Sequence, residues 1–164
     1  MNLPPYPDFP TIASGTITLR QIEPTDICDI MEISFYDAVQ ATTLYLAEQM
    51  QAKISRDYTN GESIHWGIAD NATDKIIGTC GYYRGFENAA GELGCVLLPQ
   101  HYGKGYMTQA MALAIRFGFE TMSLERIWAE TTIDNTGAIK LLERLNFIKT
   151  DIIADSVIYE LKRP

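Results

Sequence analysis

A single mixed α/β (α+β) domain is the fold class that this sequence predicts, and three observations carry it. The chain has 164 residues, 46% of them hydrophobic. A chain of that length buries roughly 70% of its unfolded surface without disulfide or metal staples. Midway along it, three apolar runs separated by short polar connections read as an antiparallel meander, and the latter half then alternates strand and helix periods in a βαβαβ-like order. With no linker, low-complexity tract or internal repeat, residues 1–164 are expected to form one domain.

The elements follow in chain order. Tyr6 to Pro10, with two prolines, is an extended arm, and the alternating run Thr16 to Ile22 is a strand. Pro24-Thr25-Asp26 starts a helix carrying Ile27, Ile30, Met31 and Phe35. A second helix places Leu44, Ala47, Met50, Ile54 and Tyr58 on one stripe and stops at Asn60-Gly61. Strands at 64–69, 76–86 and 93–98 form the meander. A helix runs from Gly105 to about Met122, a strand from Arg126 to Thr132, a helix from Asn135 to Leu145, and two short strands occupy 147–153 and 157–161.

Thirteen Lys and Arg against 21 Asp and Glu give a formal charge of -8. That balance argues against non-specific binding to nucleic acid or anionic membranes and favours cationic partners. No apolar run approaches the ~20 residues of a membrane span, and Met1-Asn2-Leu3-Pro4-Pro5 lacks the basic start of a secretory signal, so the expected compartment is the cytoplasm. Cys28, Cys80 and Cys95, odd in number and set in apolar runs, read as reduced core thiols. With two histidines and no close Cys/His pairs, no metal site is expected. The sequon Asn71-Ala72-Thr73 carries weight only in a secreted protein.

The stretch Cys95 to Thr108 combines an apolar strand, a glycine-containing turn and a helix start. Glycines let backbone approach a ligand, and the helix presents unpaired N–H groups at its positive end, the grammar of a phosphate site. Leu98 and Gly105 stand where a P-loop needs Gly and Ser or Thr, and Thr108 stands where a dinucleotide fingerprint needs Gly or Ala. The glycines taken alone fit a plain tight turn equally well.

The pattern Gln100-x-x-Gly103-x-Gly105 after a strand ending in Pro99 resembles the acyl-CoA pyrophosphate loop of the GNAT superfamily of N-acetyltransferases. Phe9-Pro10-Thr11-Ile12 with Thr18-Leu19-Arg20, Trp66-x-Ile68 and Ile76-Ile77-Gly78-Thr79 resemble the opening of its RimJ/RimL-like branch, which acetylates ribosomal-protein N-termini. Asn135-Thr136-Gly137-Ala138 and Leu141 to Phe147 resemble that branch's second cofactor segment. The resemblance implies a twisted mixed sheet of about seven strands flanked by about four helices, acetyl-CoA as co-substrate without metal, an amine acceptor, and a monomer or homodimer. It also implies that the pantetheine arm lies along the 95–98 strand, which splays from the strand at 126–132. The thioester oxygen would meet an N–H near Val96, Leu97 or Leu98. Gln100, Gly103, Lys104, Gly105, Tyr106, Met107 and Thr108 would hold the pyrophosphate, and Asn135 the pantetheine amides.

An amine must be neutral to attack. An α-amine of pKa ~7.8 is roughly 14% neutral at pH 7, against about 0.04% for a lysine, so a weak base or a water chain suffices for an N-terminus. Glu92, just before the cofactor strand, stands where the resembling branch often carries a glutamate, so the resemblance implies it as the base, directly or through water. His65, with a reference pKa near neutrality, is the second candidate. Leu142 stands where many members carry a tyrosine acid, Ala138 replaces a serine, and Asn146 replaces the glycine before Phe147. Tyr82, Tyr83, Tyr102, Tyr106 and Trp66 are either core or an acceptor platform. No cysteine adjoins a clear base, so direct attack in a ternary complex is expected over an acyl-cysteine route, with Cys95 the exception to test. A sensor that binds acyl-CoA with reduced catalysis and a nucleotide-binding domain are the alternatives.

Overall fold

The N-terminal arm is held by the sheet and by a helix packed on it. Trp66 donates its indole N–H to Pro10 O at 2.9 Å, and Tyr6 meets Phe117 edge-on with ring centroids 5.7 Å apart. The computed structural model describes residues 1–164. Strand β1 (Ile12–Ala13) turns into β2 (Ile17–Arg20). At two residues, β1 is too short to leave an alternating pattern.

The helix expected from Pro24 is instead a pair of 3-10 turns, Pro24–Asp29 and Met31–Ile33. The spacing itself explains the difference. Ile27, Ile30 and Ile33 recur every third residue, the 3-10 period, so all three face inward, whereas an α-helix would rotate the third away. Asp26 locks the entrance by accepting the Glu23 N–H at 2.8 Å and the forked guanidinium of Arg20 at 2.8 and 3.1 Å. Cys28 faces away from the isoleucines and is exposed, which corrects the reading of three core thiols.

A small ribbon, β3 (Phe35–Tyr36) and β4 (Val39–Gln40), leads into α1 (Leu44–Thr59). Thr43 caps α1 by accepting the Leu46 N–H, and Asn60 with Gly61 at φ +81° ends it where the sequence placed the stop. The meander β5 (Ile64–Asp70), β6 (Ile76–Tyr82) and β7 (Ala90–Leu97) is antiparallel throughout, as its short connections require. Then come α2 (Tyr106–Glu120), β8 (Arg126–Thr132), α3 (Thr136–Arg144), β9 (Ile148–Ile153) and β10 (Ser156–Lys162).

The main sheet has eight strands in the order β1-β2-β5-β6-β7-β8-β10-β9, and three α-helices with the 3-10 turns accompany it, in keeping with the expected sheet of about seven strands and about four helices. All its pairings are antiparallel except β7 with β8. One face buries Trp66, Tyr82, Leu93 and Ile127 in the larger core with residues of α2 and α3. The opposite face joins Ile22, Ile27, Ile30 and Ile33 to Ala47 of α1. Tyr82 and Trp66 are therefore core, and Tyr82 donates its hydroxyl to Ala114 O at 2.9 Å. No helix is long and apolar enough to cross a membrane.

Gly81 of β6 pairs with His65 of β5 and has no room for a side chain. A Cβ there would collide with Ile64 O and lie 2.9 Å from His65 Cα, both backbone. Gly81→Ala must push the strands apart, and we expect a loss of about 2–3 kcal/mol of stability in urea unfolding.

Candidate active site

Strands β7 and β8 run parallel for only three residue pairs, Ala90 with Arg126 through Glu92 with Trp128. Beyond Glu92 they part, and the partly open Gly94, Cys95 and Val96 mark the gap. Alternation in the antiparallel β6–β7 ladder fixes which amides face it. Glu92 O accepts the Tyr83 N–H at 3.1 Å and the Leu98 N–H donates to Ile77 O at 2.9 Å, so even-numbered residues turn their backbone toward β6. The odd-numbered Cys95 and Leu97 turn N–H and C=O into the gap. Of Val96, Leu97 and Leu98, only Leu97 thus offers an N–H there, which narrows the expected donor to one residue.

The turn after β7 opens toward solvent. Gly103 and Gly105 sit at φ +74° and +78° with nothing within 4 Å of where a Cβ would stand. At those angles an L side chain costs roughly 1–2 kcal/mol. Gly105 is the N-cap of α2 and supplies no side-chain cap, so the first-turn N–H groups of Tyr106, Met107 and Thr108 have no side-chain acceptor. Lys104 is exposed beside them, and Gln100 is exposed on a 3-10 turn, Pro99–His101, one step earlier.

Asn135 is the N-cap of α3, its Oδ1 accepting the Ala138 N–H at 3.1 Å, which leaves the side-chain NH2 as the group free for a ligand. Leu142 is buried in the main core, so that position offers no acid. Asn146 takes φ +65°, the left-handed conformation that explains asparagine for glycine. The sequence did not single out Arg144. Its Nη1 lies 3.3 Å from Thr108 Oγ1 and brings a cation to the first turn of α2. Its sequence signal is weak, since a basic residue in a helix's last turn is ordinary.

On the opposite sheet face lies a cavity of about 510 Å³ between the sheet, the 3-10 turns, the β3–β4 ribbon and α1. His65, Thr79, Tyr83 and Val96 contribute from the sheet, and Asp37, Asp57 and Arg84 also line it. Tyr83 lies over Gly94, where a Cβ would collide with its ring, and it meets His65 edge-on at 5.2 Å between ring centroids. Burial lowers the His65 pKa to about 4, so the ring is neutral at pH 7, and its buried Nδ1 has no hydrogen-bond partner. Glu92 is buried within β7 rather than solvated at its entry. Its Oε2 lies 3.0 Å from Arg84 Nε, in an ion pair without hydrogen-bond alignment. Desolvation raises its pKa above the usual carboxylate value, Arg84 opposes this, and nearby Glu130 adds to it. Arg84 lines the cavity and Glu92 does not. Tyr102 is exposed and Tyr106 half-buried near the loop, outside this cavity.

Comparison with known proteins agrees with this geometry. Residues 16–148 match the acetyltransferase (GNAT) domain, and the chain belongs to that family of acetyltransferases. It is 32% identical over 153 residues to the uncharacterized N-acetyltransferase p20 of Bacillus licheniformis, covering 88% of this chain and 86% of that protein. It is 26% identical to the uncharacterized N-acetyltransferase YoaA of Bacillus subtilis, again covering 88% and 86%. In fold it resembles a putative ribosomal-protein-serine acetyltransferase from Vibrio cholerae, with TM-score 0.80, 19% identity, and 96% and 99% of the two chains covered. A spermidine N-acetyltransferase from Vibrio cholerae superposes with TM-score 0.74 at 19% identity, covering 90% and 94%. The family uses acetyl-CoA, and two features of this chain fit its pyrophosphate: the open, positive-φ glycines and the uncapped start of α2.

Glu92 gives a pH signature. Its folded pKa is raised, so folding favours the protonated form, and stability is lost as pH rises through the folded value. Glu92→Gln mimics the protonated acid at every pH. Urea unfolding is expected to give nearly equal stabilities at pH 4, with the variant's advantage growing toward pH 7.

Proposed function

We propose that the chain transfers an acetyl group from acetyl-CoA to a primary amine, a protein N-terminal α-amine or a small-molecule amine, by direct attack in a ternary complex. The carrying observation is the parting of β7 from β8. It leaves the Leu97 amide facing a gap whose one end leads to the uncapped α2 and whose sheet strand also lines the cavity through Val96. Acetyl-CoA supplies a thioester carbon open to attack.

In this reading Gly103 to Thr108 and Arg144 hold the pyrophosphate, Asn135 donates its NH2 to the arm, and the Leu97 N–H steadies the oxygen that gains charge. The acceptor enters from the cavity side. Its nitrogen bonds to the acyl carbon as the carbon–sulfur bond breaks, the amine proton passes through water to Glu92, and the thiolate takes a proton from solvent. A thiol of pKa ~8.5 leaves acceptably without a dedicated acid, which suits the buried Leu142. The raised pKa of Glu92 brings it nearer an α-amine than an ordinary carboxylate. At about 4, His65 is too weak a base for that task and serves as a neutral hydrogen-bonding wall. Cys95 faces its cross-strand partner Cys80 and has no imidazole or carboxylate hydrogen-bonded to it, which supports direct attack over an acyl-cysteine.

Leu142 and Ala138 favour one alternative, a sensor that binds acetyl-CoA with little turnover. Release of CoA across a panel of amines separates the two: transfer gives amine-dependent release, and a sensor gives binding alone. Gly105→Val and Arg144→Ala are each expected to raise the KM for acetyl-CoA about tenfold while leaving kcat within about threefold, measured by thiol release.

A further inference from the structure

We infer that the acceptor amine carries an uncharged apolar body, an aliphatic or aromatic group next to the amino group, and that a polyamine is a poor substrate. This rests on the transferase reading above and names the substrate class of the same site. Three observations carry it. The cavity wall opposite the sheet is built from Ile27, Ile30 and Ile33, presented together by the 3-10 turns, and from Met50 and Ile54 of α1. On the sheet side Ser63, Thr79, Tyr83 and a His65 that burial keeps uncharged are neutral, and the one charged group beside them, Arg84, is a cation. The carboxylates sit elsewhere in the lining, at Asp37 in the ribbon turn and at Asp57, which already accepts the Tyr36 hydroxyl at 2.8 Å.

An amine reaching the Leu97 side of β7 passes Thr79 and Val96, and whatever it carries lies along the isoleucine wall. A second ammonium along the isoleucine wall would be desolvated, with Asp57 already engaged by Tyr36 and Asp37 confined to the ribbon turn, a cost that disfavours polycations. An apolar body gains instead about 0.8 kcal/mol, or fourfold, for each buried CH2. The cavity volume, about 510 Å³, is in the range of small-ligand sites. The unpartnered Nδ1 of His65 is a neutral group that an amine or peptide amide can satisfy. A free amine and the first residue of a peptide share this chemistry.

The test measures kcat/KM at saturating acetyl-CoA for n-alkylamines of increasing length, leucinamide, phenethylamine, tetrapeptides beginning with Leu or Ser, glycinamide and spermidine. We expect leucinamide, phenethylamine or the Leu-initiated peptide to exceed glycinamide, the Ser peptide and spermidine at least tenfold. The alkylamines should gain about fourfold per methylene until the wall is reached. Preference between leucinamide and the Leu peptide distinguishes a small-molecule from a protein acceptor, and either supports the inference. Ile54→Glu, at a half-buried position on α1, should narrow the gap to spermidine at least tenfold while leaving the acetyl-CoA Kd unchanged. Spermidine or glycinamide used as well as the apolar amines would overturn the inference and leave the transferase reading standing. Acetyl-CoA binding without turnover of any amine would overturn both.

Discussion

A backbone amide that leaves a sheet ladder must find another partner, and the parting of β7 from β8 creates a row of such groups in the middle of this protein. Three parallel pairs end at Glu92, after which β8 is held by β10 alone. The unpaired backbone of Cys95 and Leu97 is then a strand edge inside a fold rather than at its border. Water or a ligand must satisfy it, because a buried unpaired peptide group costs about 1–3 kcal/mol. An extended chain with its own amides, as in a pantetheine arm, completes such an edge as a strand would.

The alternation of a strand then assigns the two sides of the chemistry. Odd-numbered side chains of β7, Leu93 and Leu97, anchor in the core with α2, whose uncapped start is the proposed phosphate site. The even-numbered Val96 reaches the cavity proposed for the acceptor, and Glu92, also even, lies behind Arg84. Gly94 is bare so that Tyr83 can lie across it. The proposed cofactor side relies on main-chain N–H groups with Lys104 and Arg144 nearby, so the net charge of -8 does not oppose a phosphate ligand. In the proposed reading the acidic surplus bears on the acceptor, drawing cationic amines toward the surface while the cavity selects them by their apolar part.

What could be read in the sequence was local in origin. The glycines of the loop, the Asn60-Gly61 stop and Asn146 each answer a backbone angle that only certain residues adopt, so the letters alone carried them. The meander was legible because short connections permit nothing else. The 3-10 turns were misread as a helix because periods of 3.0 and 3.6 differ little over nine residues, although Ile27, Ile30 and Ile33 held the clue. Glu92 was singled out, but its burial and its ion pair with Arg84 join residues from both ends of the β6–β7 connection and depend on tertiary placement. Arg144 and the cavity wall were invisible for the same reason, being assembled from segments far apart in the chain.

Backbone amide signals of the folded protein, followed as acetyl-CoA is added, test the role of the parted strands most directly. Slowed hydrogen exchange at Cys95 and Leu97 and at the first turn of α2, with Val96 and Leu98 unchanged, is the predicted outcome. Binding of acetyl-CoA that leaves the Leu97 amide exchanging as before would contradict it.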